Sequence, residues 1–322
     1  TYEKYYDASD GCSLVTTIDA TVQAYVEKNL QNAIDKYDIK NGAFCIVMDV
    51  NTGEIKAMAT LGSYDPNNYL EIYDDAAAAL LENERDAALS LPEASDAYKA
   101  AIEQYKQDVA SARMAQWRNR CVSDGYEPGS TFKIITLAMA LEEGVVSESS
   151  SFYCGGSIPV LGRTDPVKCW KTAGHGSQTL TQAMQHSCNV ALVQIGQLVG
   201  ARTFYKYAEA FGFLNLTNNV DSSLTAKTGI DLSGESGSIW WSQNTFYDPE
   251  NFSQLAAASF GQTFTITPLQ LITAVSACVN GGYLMKPYVV KSIVNGDGEA
   301  VVSNSPTVVR QVVSEQTSAT VR

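Results

Sequence analysis

The chain has 322 residues, 45% hydrophobic and 18% charged, long enough to bury a sizeable core and too apolar for a disordered or collagen-like segment. With 35 acidic residues against 22 basic ones its formal charge is −13, the wrong sign for sequence-independent attraction to nucleic acid or anionic lipid. No run of about 18 apolar residues offers a membrane span, and seven cysteines without a Cys-x-x-Cys pair spell neither a full disulfide framework nor a zinc ribbon.

In chain order, the first predicted element is an amphipathic helix, with Val22, Val26, Leu30 and Ala33 at helical spacing after Asp19. It leads into a β-hairpin, Gly42 to Asp49 and Glu54 to Thr60 around the turn Asn51-Thr52-Gly53. The first of these strands is apolar almost throughout and is expected to be buried on both faces. Glu71 to Asp108 then holds ten carboxylates against Arg85, Lys99 and Lys106. It reads as two helices broken at Pro92, the second with Ala97, Ala101, Tyr105, Val109 and Ala112 on one stripe. This acidic helical insertion, at about residues 70–116, is expected to be a solvated surface elaboration and not a binding site.

Tyr126-Glu127-Pro128-Gly129-Ser130-Thr131-Phe132-Lys133 follows, and Ile134 to Leu141 is apolar nearly all round before Gly144. Proline and glycine ahead of such a run predict a helix buried in the middle of a domain. Ser130 and Lys133 are three residues apart, on one face of a helix and within reach of each other. Burial lowers a lysine pKa from ~10.4 towards neutrality, where the amine can accept a serine proton. Ser130 is therefore a candidate nucleophile and Lys133 its base. A Ser-x-x-Lys pair arises about once by chance in a chain of this composition, and a capping serine beside a snorkelling lysine is the plain alternative. Beyond a glycine-rich loop (Gly155, Gly156, Gly162), Ser187-Cys188-Asn189 is a Ser-x-Asn turn able to aim a hydroxyl and an amide at one side of a cleft.

With Ser130-x-x-Lys133 and Ser187-x-Asn189 in this order, the chain resembles the class B penicillin-binding protein transpeptidases. Flanking blocks strengthen the match: Thr52-Gly53-Glu54-Ile55 and Tyr64-Asp65-Pro66-Asn67-Asn68-Tyr69 early, then Thr228-Gly229-Ile230-Asp231-Leu232, Ser259-Phe260-Gly261-Gln262, Thr267-Pro268-Leu269-Gln270 and Asn280-Gly281-Gly282. The resemblance runs from about Gly11 to the C-terminus. It implies an α/β (α+β) penicillin-binding transpeptidase fold, a mostly antiparallel sheet packed against the buried catalytic helix and an all-helical subdomain. It also implies D,D-transpeptidation of peptidoglycan stem peptides ending in D-Ala-D-Ala, with β-lactams acylating the same serine. In that reaction Ser130 is the nucleophile, Lys133 its base, Ser187 the proton relay and Asn189 the holder of the donor backbone. The resemblance further implies a place on the extracytoplasmic face of the bacterial membrane, a membrane glycan polymerase as partner, no required cofactor and no nucleic acid. A β-lactam hydrolase or sensor and a catalytically silent cell-wall scaffold are the alternatives.

The family's third motif, Lys-Thr-Gly or similar on an edge strand, has an apparent match in Lys227-Thr228-Gly229. That match precedes Ser259-Phe260-Gly261-Gln262 instead of following it and lacks strand alternation, so it is expected to be a loop. On this reading residues 1–40 are the end of an N-terminal linker region and the first helix, and 41–322 the transpeptidase domain. Its sheet and third motif are expected to be completed beyond Arg322, and its membrane anchor to precede Thr1. Among the remaining candidates, Cys154, Cys169 and His175 are candidate ligands for a structural zinc, weighed against a Cys154–Cys169 disulfide and against free thiols, with Cys188 inside the second motif. Trp170, Trp240 and Trp241 are expected to be core aromatics rather than a substrate groove, and His186 structural rather than a base.

Overall fold

The computed structural model describes residues 11–40, 42–60, 62–215 and 226–322. Ser13–Thr16 (β1) pairs antiparallel with Val290–Val294, so the first strand closes on one from late in the chain. Asp19 caps the next helix, Ala20–Tyr37 (α1), by accepting the N–H groups of Thr21 and Val22. Its apolar stripe is half-buried, and Gln23 bonds both the N–H and the carbonyl of Met58.

Phe44–Met48 (β2) and Ile55–Thr60 (β3) form the expected hairpin, with Gly53 at φ +79° in its turn. Strand β3 alternates as a half-covered strand should, with Ile55, Ala57 and Ala59 inward. Strand β2 does not have two buried faces: Phe44 is exposed, Cys45, Ile46 and Val47 are half-buried, and only Met48 is fully covered. Its other edge meets no strand among the described residues.

The acidic segment forms two helices, Asp75–Leu89 (α2) and Asp96–Trp117 (α3), N-capped by Asp74 and Ser95 on either side of the break at Pro92. The stripe on α3 is only half-buried, and Ala97 is exposed while Tyr98 and Ile102 join the covered face, because α2 is the main element packed against it. The far end of α3 is strapped down: Arg113 Nε, Gln116 Nε2 and Trp117 Nε1 donate to the carbonyls of Leu70, Glu71 and Tyr69 at 2.8, 2.6 and 2.9 Å. Replacing residues 72–114 by a short linker is expected to leave β-lactam acylation of the full-length protein within about twofold, since no residue of the nucleophile or lysine sites lies there. A folded deletion variant that no longer acylates would show that the hairpin serves the reaction.

Arg120–Ser123 (α4) and the 3₁₀ turn Gly129–Phe132 lead into Lys133–Glu142 (α5). Four short strands follow, Ser151–Cys154 (β4), Ser157–Ile158 (β5), Val167–Lys168 (β6) and Gly176–Thr179 (β7), with β4 on β7 and β5 on β6. Then come the helices Leu180–Gln185 (α6), Asn189–Val199 (α7), Ala201–Ala210 (α8), Gln243–Phe246 (α9), Ser253–Ala258 (α10) and Pro268–Ala277 (α11). Helices α5, α7, α10 and α11 are apolar nearly all round, which is why they fill the main core with Phe132, Ile135, Met139, Leu192, Ile195, Phe204 and Phe213. The chain continues with Tyr283–Met285 (β8), Val290–Val294 (β9), Ala300–Ser303 (β10), Val308–Gln311 (β11) and Glu315–Val321 (α12).

The α+β class stands, but among the described residues every strand pair is antiparallel and the strands fall into five small sheets, the largest being β1-β9-β10, rather than one broad sheet. Glu142, at the end of α5, accepts the N–H and hydroxyl of Ser314 at 2.9 and 2.8 Å and so seats α12 against the core. Among the described residues no helix is long and apolar enough to cross a membrane.

Candidate active site

Ser130 and Lys133 do not share an α-helix. Ser130 is exposed in the 3₁₀ turn, whereas Lys133 opens α5 and is 2% exposed. Residues three apart eclipse in a 3₁₀ turn, so both side chains still rise from one side of it. Phe132 between them is driven inward, where it meets Phe264 edge-on at 4.9 Å and Phe213 at 5.5 Å and anchors the turn.

Gly261 holds the turn from the other side. The Gly129 N–H donates to Gly261 O at 2.8 Å. A Cβ on Gly261, where φ is +81°, would fall 2.1 Å from Gly129 O. Gly261→Ala is therefore expected to cost about 2–4 kcal/mol, from left-handed strain plus the backbone clash. In a chain of this size that lowers the melting temperature by roughly 3–6 °C. A calorimetric scan unchanged within about a degree would show that the turn yields freely.

Lys133 Nζ lies 2.8 Å from Ser187 O, Ser187 Oγ and Asn189 Oδ1 and donates to all three. The spacing of Ser130 and Lys133 suggests a direct contact, yet the ammonium's donors are taken by the second motif, 54 and 56 residues away in sequence. Burial lowers this amine to about 8, opposed by the thiols of Cys169 and Cys188.

A local backbone departure makes this reach possible. Helix α6 stops at Gln185, Ser187 takes φ +47°, and Cys188 restarts the chain as the N-cap of α7, its sulfur accepting the Ala191 N–H at 3.4 Å. A left-handed serine costs roughly 1–2 kcal/mol, and here it turns both the hydroxyl and the carbonyl of one residue to the amine. Asn189 Nδ2 donates to Lys168 O at 3.3 Å, tying the motif to the end of β6.

The loop after β6 carries Cys169 and His175, and it meets Cys154 at the end of β4 and Cys188 at the head of α7. All four ligand-type atoms lie within 4.8 Å of one another, the three thiols buried and unpaired by disulfides. Loop spacing points to the first three as a set; Cys188 joins them only in the fold, and its one sequence signal is a cysteine inside Ser-x-Asn following two loop cysteines. His186 stacks on His175 at 4.8 Å, bonds Gln178 Oε1 at 3.1 Å through Nδ1, and makes no hydrogen bond to Ser130 or Lys133, a structural role. Trp240 and Trp241 pack against the core as expected. Trp170 does not: it is 66% exposed, held at the surface by a bond from its Nε1 to His186 O.

Lys227-Thr228-Gly229 belongs to no strand. The Thr228 N–H and hydroxyl donate to Glu235 Oε1, both at 2.6 Å, and the Gly229 N–H to Glu235 Oε2 at 3.1 Å. Lys227 and Thr228 line a small cavity with Phe211, Gln270, Leu284 and Arg310, and neither Ser130 nor Lys133 is among its lining residues.

Comparison with known proteins bears on the family. The sequence model of the penicillin binding protein transpeptidase domain matches residues 43–322. Stage V sporulation protein D of Bacillus subtilis is 33% identical over 322 residues, which are 99% of this chain and 41% of that protein. Peptidoglycan D,D-transpeptidase FtsI of Escherichia coli is 28% identical over 265 residues, 82% of this chain and 35% of that protein. The chain thus spans about two fifths of the length of such relatives. Among solved structures, penicillin binding protein 3 of Mycobacterium tuberculosis complexed with aztreonam superposes with a TM-score of 0.71 at 27% identity, covering 99% of this chain and 58% of that one. A match over residues 43–322, with the serine, lysine, serine and asparagine placed as described, shows that the chain belongs to the penicillin-binding protein transpeptidase domain family.

Proposed function

We propose that this domain cross-links peptidoglycan as a serine D,D-transpeptidase working through a Ser130 acyl-enzyme. The observation that carries the reading is the buried Lys133 amine, held by Ser187 and Asn189 beside the exposed Ser130 turn. Relatives named D,D-transpeptidases and a structural neighbour complexed with a β-lactam support it.

With its pKa near 8, Lys133 is neutral in about a tenth of molecules at pH 7. The neutral amine takes the Ser130 proton as Oγ adds to the carbonyl of the penultimate D-Ala, and the Ser130 N–H steadies the oxyanion. As the C–N bond breaks, the proton passes from Lys133 through Ser187 Oγ to the departing D-Ala amine, leaving an ester on Ser130. Asn189 holds the donor peptide's backbone meanwhile. An amine of a neighbouring stem then attacks the ester, gives its proton to the same relay, and releases Ser130 with a new peptide bond. The substrate lies outside the cytoplasmic membrane, which places the domain there, with a membrane glycan polymerase as the partner that supplies strands.

Incubating the full-length protein with a fluorescent penicillin, then with a D-Ala-D-Ala stem peptide and an acceptor amine, tests the assignment. A long-lived adduct and acceptor-dependent release of D-Ala are expected. Rapid turnover of the penicillin would mean a hydrolase, an adduct without D-Ala release a sensor, and no adduct a scaffold.

A further inference from the structure

Beneath the lysine site lie four side chains that no step of the transpeptidation uses. Cys154 ends β4, Cys169 follows β6, His175 precedes β7, and Cys188 heads α7, so four separate segments meet at one point. We propose that Cys154, Cys169, His175 and Cys188 bind one Zn²⁺ in a closed tetrahedral site, and that the ion fixes the Ser187–Asn189 segment against Lys133.

Atoms bound to a single zinc at about 2.1–2.3 Å with tetrahedral angles lie roughly 3.5–3.8 Å apart. Cys169 Sγ is 3.9 Å from Cys188 Sγ and 3.7 Å from His175 Nδ1, so these ligands need almost no movement. The imidazole is seated for the purpose: it stacks on His186 with an interplanar angle of 5° and meets Trp170 edge-on at 5.3 Å. Its Nδ1 faces sulfur instead of a carbonyl, and its Nε2 is buried with no hydrogen-bond partner. Three buried thiols alone could be small hydrophobes; an imidazole turned towards them is not explained that way. The loop is also folded too tightly for side chains at its crossing. A Cβ on Gly156 or Gly174, both at positive φ, would fall 2.0 Å from Thr172 O or 2.3 Å from Cys154 O. Thiolate and imidazole donors favour zinc over magnesium or calcium, and four protein ligands leave no open position, which makes the site structural.

Cys188 stands between Ser187 and Asn189, the two residues that bind Lys133. A metal on its sulfur would hold both at fixed distance from the amine. This positioning role rests on the transpeptidase reading; the metal site does not.

The test is metal analysis of the full-length protein, purified without chelator under reducing conditions. About one zinc per chain is expected, and cobalt substitution should give the strong visible bands of a tetrahedral thiolate site. Cys169→Ser and His175→Ala should fall below about a tenth of an equivalent, while Cys278→Ser, buried elsewhere in the core, should keep the metal and so separate ligand loss from misfolding. Less than about a tenth of an equivalent in the parent protein after dialysis against zinc would overturn the site. So would a disulfide between any two of Cys154, Cys169 and Cys188 in the protein as isolated. Stripping the ion should slow penicillin acylation at least about tenfold, with recovery on adding zinc back. Loss of metal without change in rate would overturn the positioning role. A protein that binds zinc but never acylates would refute the transpeptidase assignment and leave the metal site standing.

Discussion

Ser130→Ala is expected to abolish covalent labelling of the full-length protein by a fluorescent penicillin while leaving it folded. Ser130 is exposed, and its hydroxyl makes no hydrogen bond to any described residue. Removing it opens no cavity and orphans no buried partner, so stability should shift by at most ~1 kcal/mol, a few degrees in melting temperature. The turn itself is held by Phe132 in the aromatic core and by Gly261 against Gly129, neither of which the substitution touches. Chemistry and structure are thus separable at this position. Labelling that persists at the parent rate would place the nucleophile elsewhere.

Lys133→Met should leave Ser130 in place and slow its acylation at least ~10²-fold, the lower end of what a positioned base contributes. Methionine approximates the volume of the lysine stem, so the packing of α5 against α7 survives. The change also removes the donor to Ser187 Oγ and Asn189 Oδ1 and leaves the half-buried Ser187 carbonyl without its partner, which should lower stability by about 1–3 kcal/mol. The loss of rate should therefore exceed anything attributable to unfolding, and stopped-flow acylation at a temperature well below the melting transition measures it. A rate within about twofold of the parent would remove Lys133 from the role of base.

Local chemistry was legible in the sequence where a single segment decides it. Asp19 caps the helix that the apolar spacing predicted, Pro92 breaks the acidic hairpin into two helices, and Gly53 supplies the positive φ of the β2–β3 turn. The four residues of the candidate site were legible as well, but only through their order along the chain together with the flanking blocks, since a Ser-x-x-Lys or a Ser-x-Asn arises readily by chance. What escaped depends on distant segments meeting. The exposure of β2 is set by which strands pair with it, not by its own composition. The close backbone approach of Gly261 to Gly129 and the gathering of Cys188 with Cys154 join residues 132 and 34 positions apart, which no local pattern encodes. Likewise, nothing in Ser-x-x-Lys says that the amine will face the hydroxyl and carbonyl of Ser187 while Ser130 points to solvent.

The left-handed backbone at Ser187 has an evolutionary corollary. Glycine accepts φ near +47° without steric penalty, so Ser187→Gly would relieve roughly 1 kcal/mol of local strain while discarding the hydroxyl. Because most substitutions destabilise, drift under selection for folding alone would find that exchange among the few that help. In a lineage that kept the scaffold and no longer needed the reaction, this position should be among the early ones to drift. Under the proposed reaction, the left-handed serine here is strain that the scaffold carries for the sake of its hydroxyl.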